Sequence, residues 1–259
     1  MTAGLSIGVA AAIGADLAER LAPAVEAAGF HALWVNDVPG HDALEVLVGA
    51  ARTTERLVLA TGVLPVDRRA PGEILARVDA LGLPPDRLVL GIGSGAGSAG
   101  ALARVTDAAA ALRAATSARV VVGALGPKMR HAGAAASDGL LLSWLPPELA
   151  AAQAQEARAV APGTHVALYV RTAVDAAGSQ RLAVETARYA GYPAYAANFA
   201  RAGIAAAETT IGPDDDADRI AGYLRAVDEV VLRAIVAEET PESYERFVAA
   251  TAPRAANGG

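Results

Sequence analysis

Eight short apolar runs, each followed by a stretch with helical spacing, constrain this chain more than any other feature. The runs are Leu5–Ala10, Ala32–Asn36, Leu57–Val63, Arg87–Ile92, Arg119–Gly123, Gly139–Ser143, His165–Thr172 and Glu229–Ile235. Most are continuously apolar, where a half-exposed strand would alternate. That is the pattern of parallel strands covered on both faces. Helical segments intervene at Asp16–Gly29, Ala43–Thr53, Pro71–Leu81, Ala99–Ala115, Pro127–Ala136, Pro146–Val160, Ser179–Ala202, Asp215–Arg225 and Pro241–Ala250. Asp16 is placed to cap the first helix and Gly29 to follow its end. Pro71, Pro127 and Pro146 stand at helix starts, where the missing N–H is harmless. Alternation of this kind predicts an α/β fold, a single-domain (β/α)8 TIM barrel over residues 1–251 with a flexible tail at 252–259. A doubly wound open sheet is the alternative. No linker divides the chain.

Composition narrows the function classes. The 259 residues are 53% hydrophobic but only 4% aromatic, so Ala, Val and Leu do the packing. A net charge of −6 argues against nucleic acid and anionic membranes as main partners. The absence of cysteine excludes disulfides and thiolate metal sites. No basic, apolar leader follows Met1 and no apolar run is long enough to span a bilayer, so a cytoplasmic enzyme acting on a small molecule is expected.

In a barrel, function sits in the loops that follow the C-terminal strand ends. The unusual segments fall there. Asn36-Asp37-Val38-Pro39-Gly40-His41 follows the second run and Thr61-Gly62-Val63 ends the third. Gly91-Ile92-Gly93-Ser94-Gly95-Ala96-Gly97 closes the fourth, and Ser143-Trp144 follows the sixth. The fifth run leads through Gly126 into Pro127-Lys128-Met129, where a helix begins. Free N–H groups and the positive dipole end of that helix suit an anion, and Lys128 is the sole lysine of the chain. The glycine-rich loop is weak evidence for a dinucleotide fingerprint, because no acidic residue stands about 20 positions later at a strand end.

Five segments in order carry a resemblance. They are Glu26–Asp37, Thr54–Val63, Arg87–Gly95, Gly123–Met129 and Ala136–Gly139. Over roughly residues 5–145 the chain resembles the luciferase-like monooxygenase superfamily, the barrels that include bacterial luciferase-type flavin enzymes and deazaflavin-dependent oxidoreductases. The resemblance implies hydride transfer between coenzyme F420, a deazaflavin, and a small organic substrate. A luciferase-like monooxygenase using flavin mononucleotide (FMN) is the alternative, as is a cofactor-binding barrel without turnover. A phosphosugar-type barrel enzyme that uses the anion loop without flavin is a further reading. The resemblance also implies a bulge, often with a non-proline cis peptide, at Gly62–Val63 supporting the ring. It places the ring against Thr61, Gly62, Val63, Gly93, Ser94 and Gly95, and the phosphate at Gly126, Pro127, Lys128, Met129 and Ser143. It implies a homodimer.

The proton-transfer groups depart from well-known members. Val38 stands where many deazaflavin-dependent relatives carry histidine, and Ala96 where sugar-phosphate dehydrogenases carry glutamate. Asp37 and His41 are the remaining catalytic candidates, His41 because histidine is the commonest general acid–base. Arg171, at the end of the seventh run, is placed to meet a carboxylate or phosphate, or to pair within the barrel. Trp144 on the rim either lines a pocket or packs. His31 and His165 sit at strand starts, the stability face, and His131 lies on a helix surface. Neither a convincing nucleophile triad nor clustered metal ligands are present in the sequence.

Overall fold

The computed structural model describes residues 3–97, 99–215 and 217–253. Nine parallel strands form one closed sheet: β1 (Gly4–Ala10), β2 (Ala32–Asn36), β3 (Val58–Thr61), β4 (Leu64–Pro65), β5 (Leu88–Gly93), β6 (Arg119–Gly123), β7 (Gly139–Ser143), β8 (His165–Thr172) and β9 (Glu229–Ala234). The sheet runs β3-β2-β1-β9-β8-β7-β6-β5-β4, and pairing of β3 with β5 closes it. Strands β3 and β4 are two halves of one stave, so the barrel has eight positions. Around it lie α1 (Gly14–Ala27), α2 (Ala43–Thr53), α3 (Pro71–Ala80), α4 (Ala101–Ala115), α5 (Pro127–Ala136), α6 (Pro147–Val160), α7 (Ala176–Ala190), α8 (Pro193–Ala202), α9 (Ala217–Ala226) and α10 (Pro241–Thr251). The TIM barrel expected from the alternation is the fold.

The uniformly apolar strands still alternate in what they face. Leu33, Val35 and Leu59 point outward into the core shared with the helices. Ala32, Trp34, Ala60, Val89, Val121, Leu141, Ala167, Tyr169 and Val231 point inward and pack on one another. The period of two survives as a choice of partner, because both faces are dry. Burying one such Leu or Val contributes about 1.5–3 kcal/mol.

At the N-terminal end of the barrel the interior holds a carboxylate. Glu229 Oε1 accepts from Ser6 Oγ and Trp34 Nε1, each at 2.6 Å, and Oε2 lies 3.1 Å from His165 Nε2. Burial alone would raise the Glu229 pKa, but bonds from His165, Ser6 and Trp34 outweigh it and hold it below the ordinary value. His165 therefore has the structural role its position suggested.

Several local expectations change. The third run does not continue from Leu57 to Val63: it breaks between Thr61 and Leu64, and the Gly62–Val63 peptide is cis. The helix expected over Ser179–Ala202 is two helices. Pro193 has no N–H to donate and holds Tyr192 in an extended conformation (φ −76°, ψ 127°), so α7 ends and α8 begins at the proline. Asp16 does not cap α1. That helix starts earlier, at Gly14, and Asp16 lies in its first turn. Pro146 is the residue before α6, and Pro147 takes the first helical position. Of the tail placed at 252–259, residues 254–259 lie outside the described residues.

Candidate functional site

A cavity of about 670 Å³ opens where the strands end, at the C-terminal face of the barrel. Its floor is made by inward positions one step above the apolar interior. Asn36, Gly62, Gly93, Gly123, Ser143 and Arg171 continue the inward registers of β2, β3, β5, β6, β7 and β8. Small residues dominate this layer for a steric reason. A Cβ at Gly93 would come within 2.5 Å of Val63 Cγ2, and one at Gly123 within 3.0 Å of Val63 Cγ1. The hollow left by these two glycines receives the Val63 side chain. Gly93 therefore makes room for the bulge while also lining the cavity.

The bulge is anchored to β2 at two points. The Gly62 N–H donates to Val35 O at 2.8 Å, and Asn36 Nδ2 donates to Gly62 O. Thr61 lies beneath, fully buried, its hydroxyl donating to Gly91 O at 3.0 Å and accepting from Gly91 N–H at 2.9 Å. Thr61 thus fixes the end of β3 and does not line the cavity. The glycine loop after β5 is held by Asp67, whose Oδ2 accepts from the N–H groups of Ala96 and Gly97 at 2.9 and 3.1 Å. Gly95 adopts φ +67°, and a Cβ there would strike Asp67.

One end of the cavity carries the Arg171 guanidinium. Arg171 is stacked between aromatic rings, its guanidinium carbon 4.1 Å from the Trp144 centroid and 4.8 Å from that of Tyr189. Nη1 donates to Ser143 Oγ at 2.6 Å, and Nε lies 3.3 Å from Glu185 Oε1. Because Ser143 accepts from Arg171, its own hydroxyl proton is available to a ligand. Gly126 and Met129 line the same end. The first intrahelical bond of α5 runs from Arg130 N–H to Gly126 O, so the amides before it in the first turn have no helical acceptor. Tyr195, Asn198 and Arg201 of α8 also line the cavity, Tyr195 packing edge-on against Tyr189 with centroids 4.9 Å apart and Arg201 Nη1 donating to Asn198 Oδ1 at 3.1 Å.

The structure gathers Asp37, Gly62, Val63, Gly93, Ser94, Gly95, Gly126, Met129 and Ser143 around this cavity. Four expected residues lie elsewhere. Besides Thr61, Pro127 and Lys128 are exposed on the outer side of the first α5 turn and line no part of it. His41 is exposed in a neighbouring depression of about 430 Å³. Asp37 lines both spaces. Its carboxylate accepts from Ala43 N–H at 3.2 Å and pairs with Arg68 at 3.3 Å and Arg69 at 3.6 Å. Burial nevertheless pushes its pKa up, against the pull of that N–H and of both arginines. The loop is also tied down by Asp42, the α2 cap. Burial opposes its charge, but bonds from Arg69, Arg77 and Leu44 N–H prevail and lower its pKa. Trp144, at φ +59°, turns its indole away from the cavity to pack on Phe199 and Tyr189.

Neither Asn36 nor Tyr169 was singled out as a site residue from the sequence, nor were Tyr189, Tyr195, Asn198 and Arg201. Asn36 and Tyr169 are polar side chains at inward positions of otherwise apolar strands, two residues after Trp34 and Ala167 respectively. That spacing was the available signal.

Comparison with known proteins agrees with this layout. A family model described as luciferase-like monooxygenase matches residues 5–101, the stretch from β1 to the start of α4 that includes the bulge and the glycine loop. No curated protein matches. Among solved structures, the chain is similar to an F420-dependent secondary alcohol dehydrogenase bound to an F420–acetone adduct, at 13% identity and TM-score 0.68, over 96% of this chain and 99% of that one. It is similar to the coenzyme F420-dependent tetrahydromethanopterin reductase from Methanopyrus kandleri, at 16% identity and TM-score 0.69, over 97% and 98%. It is also similar to the monooxygenase RslO1 from Streptomyces bottropensis, at 18% identity and TM-score 0.69, over 96% and 97%. The likeness to that family lies in the matched segment, residues 5–101, and the solved structures share the barrel fold nearly end to end.

Proposed function

We propose that the chain is an oxidoreductase that transfers a hydride between coenzyme F420 and a small organic substrate. The carrying observation is that one cavity joins the Val63 bulge to the Ser143–Arg171 anion end. A flat ring bearing a phosphate tail needs both features, and about 670 Å³ is ample for it. The residues present fit such a group. Apolar Val63, Leu125 and Leu141 offer contact surface, Ser143 and Arg171 offer donors, and two buried polar atoms on the floor lack partners. When bound, the cofactor supplies the hydride chemistry, and the protein supplies position, dryness and electrostatics. Val63 backs one face of the site. Ser143, its oxygen already engaged by Arg171, donates its proton to a phosphate oxygen, and α5 presents its first-turn amides there. Asp37 keeps Arg68 and Arg69 turned onto the loop after β2, which forms the rim. Tyr195, Asn198 and Arg201 of α8 would contact a substrate held in the same cavity.

An FMN monooxygenase is the second reading, favoured by the similarity to RslO1. Titration of the purified protein with F420 and with FMN, followed by fluorescence, tests both. Micromolar binding of F420 alone is expected. Binding of FMN alone would replace the first reading by the second, and binding of neither would refute both.

A further inference from the structure

Two polar atoms buried in the cavity floor are satisfied by none of the described residues. Among the described residues, the Tyr169 hydroxyl and Asn36 Oδ1 have no hydrogen-bond partner. Tyr169 is 3% exposed. Its ring meets Trp34 edge-on, with centroids 6.1 Å apart, and presses on Gly62 so closely that a Cβ there would lie 2.8 Å from the phenol oxygen. Asn36 reaches the same residue from β2. Its Nδ2 donates to Gly62 O, which fixes the amide's rotation and leaves Oδ1 as the unused atom. The two atoms therefore flank Gly62 and border one cavity. They are chemically complementary. Burial raises the phenol's pKa well above the ordinary tyrosine value, so it stays a donor at any working pH, whereas an amide oxygen only accepts.

A buried hydroxyl without a partner lowers the stability of the ligand-free protein, and phenylalanine would fill the same volume. The other unpartnered buried atoms, Trp144 Nε1 and Tyr223 OH among them, belong to residues that do not border the cavity. Satisfaction of the Gly62 pair is left to water or to whatever the cavity binds. Flavin and deazaflavin rings both carry a cyclic-imide edge, a carbonyl acceptor beside an N–H donor. We infer that Tyr169 and Asn36 are the positioning pair for that edge, the phenol donating to the ring carbonyl and the amide oxygen accepting from the adjacent ring N–H. The inference rests on the flavin or deazaflavin reading of the site.

Tyr169→Phe tests it, because it deletes only the hydroxyl. The thermal midpoint of the ligand-free variant is expected to equal or exceed that of the wild type. Its affinity for whichever of F420 and FMN the wild type binds is expected to fall about tenfold, and the visible absorption band of the bound ring is expected to shift. The wild type is also expected to bind the same cofactor methylated at its imide nitrogen about tenfold more weakly than the parent. A midpoint several degrees lower in the variant would show that the hydroxyl has a structural role and overturn the inference. Unchanged affinity and spectrum for Tyr169→Phe, or equal affinity for the methylated ring, would overturn it while leaving the cofactor reading intact. If the wild type binds neither F420 nor FMN, the cofactor reading fails and the pair fails with it.

Discussion

Gly93→Ala is the sharpest probe of how the site is built. The added Cβ would stand 2.5 Å from Val63 Cγ2 and 3.5 Å from Val63 Cβ. Packed carbon atoms sit about 3.5–4.0 Å apart, so the methyl is about 1 Å too close. Val63 cannot swing freely aside. It is β-branched and stiff about χ1, and its other methyl fills the hollow at Gly123. Overpacking of this kind costs about 1–3 kcal/mol. In a chain of this length each kcal/mol moves the thermal midpoint by roughly 2–4 °C, so a loss of roughly 2–12 °C is expected. Val63→Ala alone removes two methyls and costs about 1 kcal/mol. Combined with Gly93→Ala it also removes the atom in collision. The double variant should then be little less stable than Val63→Ala alone, a coupling of about 1–2 kcal/mol. Gly91→Ala is the control. Its Cβ would meet the Thr61 carbonyl oxygen at 1.9 Å, which is backbone, so Val63→Ala should not rescue it. Thermal midpoints of the five variants decide the matter. Additive losses for Gly93→Ala and Val63→Ala, or rescue of Gly91→Ala, would refute the claim that Gly93 exists to seat Val63.

Three further outcomes follow from the geometry. Ser143→Ala removes the donor that Arg171 orients, and cofactor affinity measured by fluorescence should fall by about 1.5–3 kcal/mol, roughly ten- to a hundredfold. Lys128→Ala, exposed and off the cavity, should leave that affinity within the roughly ±0.5 kcal/mol of an ordinary surface change; a tenfold loss would return Lys128 to the anion site. Glu229 is held below the ordinary glutamate value of 4.5, so its contribution to stability is complete above that pH and is lost as pH falls through its lower folded value. Glu229→Gln should cost about 1.5–3 kcal/mol near neutral pH and flatten the acid limb of the stability curve, read from urea midpoints between pH 3 and 7; an unchanged acid limb would remove Glu229 as its source.

Much of this protein was legible from local pattern. A continuous apolar run can be buried on both faces, and a proline or glycine punctuates a helix, whatever surrounds them. The order of strands and helices, the barrel, and the rim loops that carry Asp37, Val63 and Ser143 follow from such signals. Even the break at Gly62–Val63 was readable, though through family resemblance and not through periodicity, since nothing in an apolar run marks where a stave divides. The α7–α8 break was legible at Pro193 and was overlooked.

Tertiary structure alone decided the rest, because closure of the sheet brings together residues far apart in the chain. Whether Lys128 points into the cavity or to solvent depends on how α5 is rotated against β6, which its own sequence does not express. Arg171 meets Ser143, Trp144 and Glu185 only because the end of β7 and helix α7 converge on the end of β8. Gly93 reads as a flexible loop glycine until Val63 is seen beside it. Tyr169 reads as one more apolar position until Trp34 and Gly62 are seen against its ring and its hydroxyl is found without a partner among the described residues. Local propensity sets which elements form, whereas side-chain partnerships across the barrel are fixed only when the last strand pairs with the first.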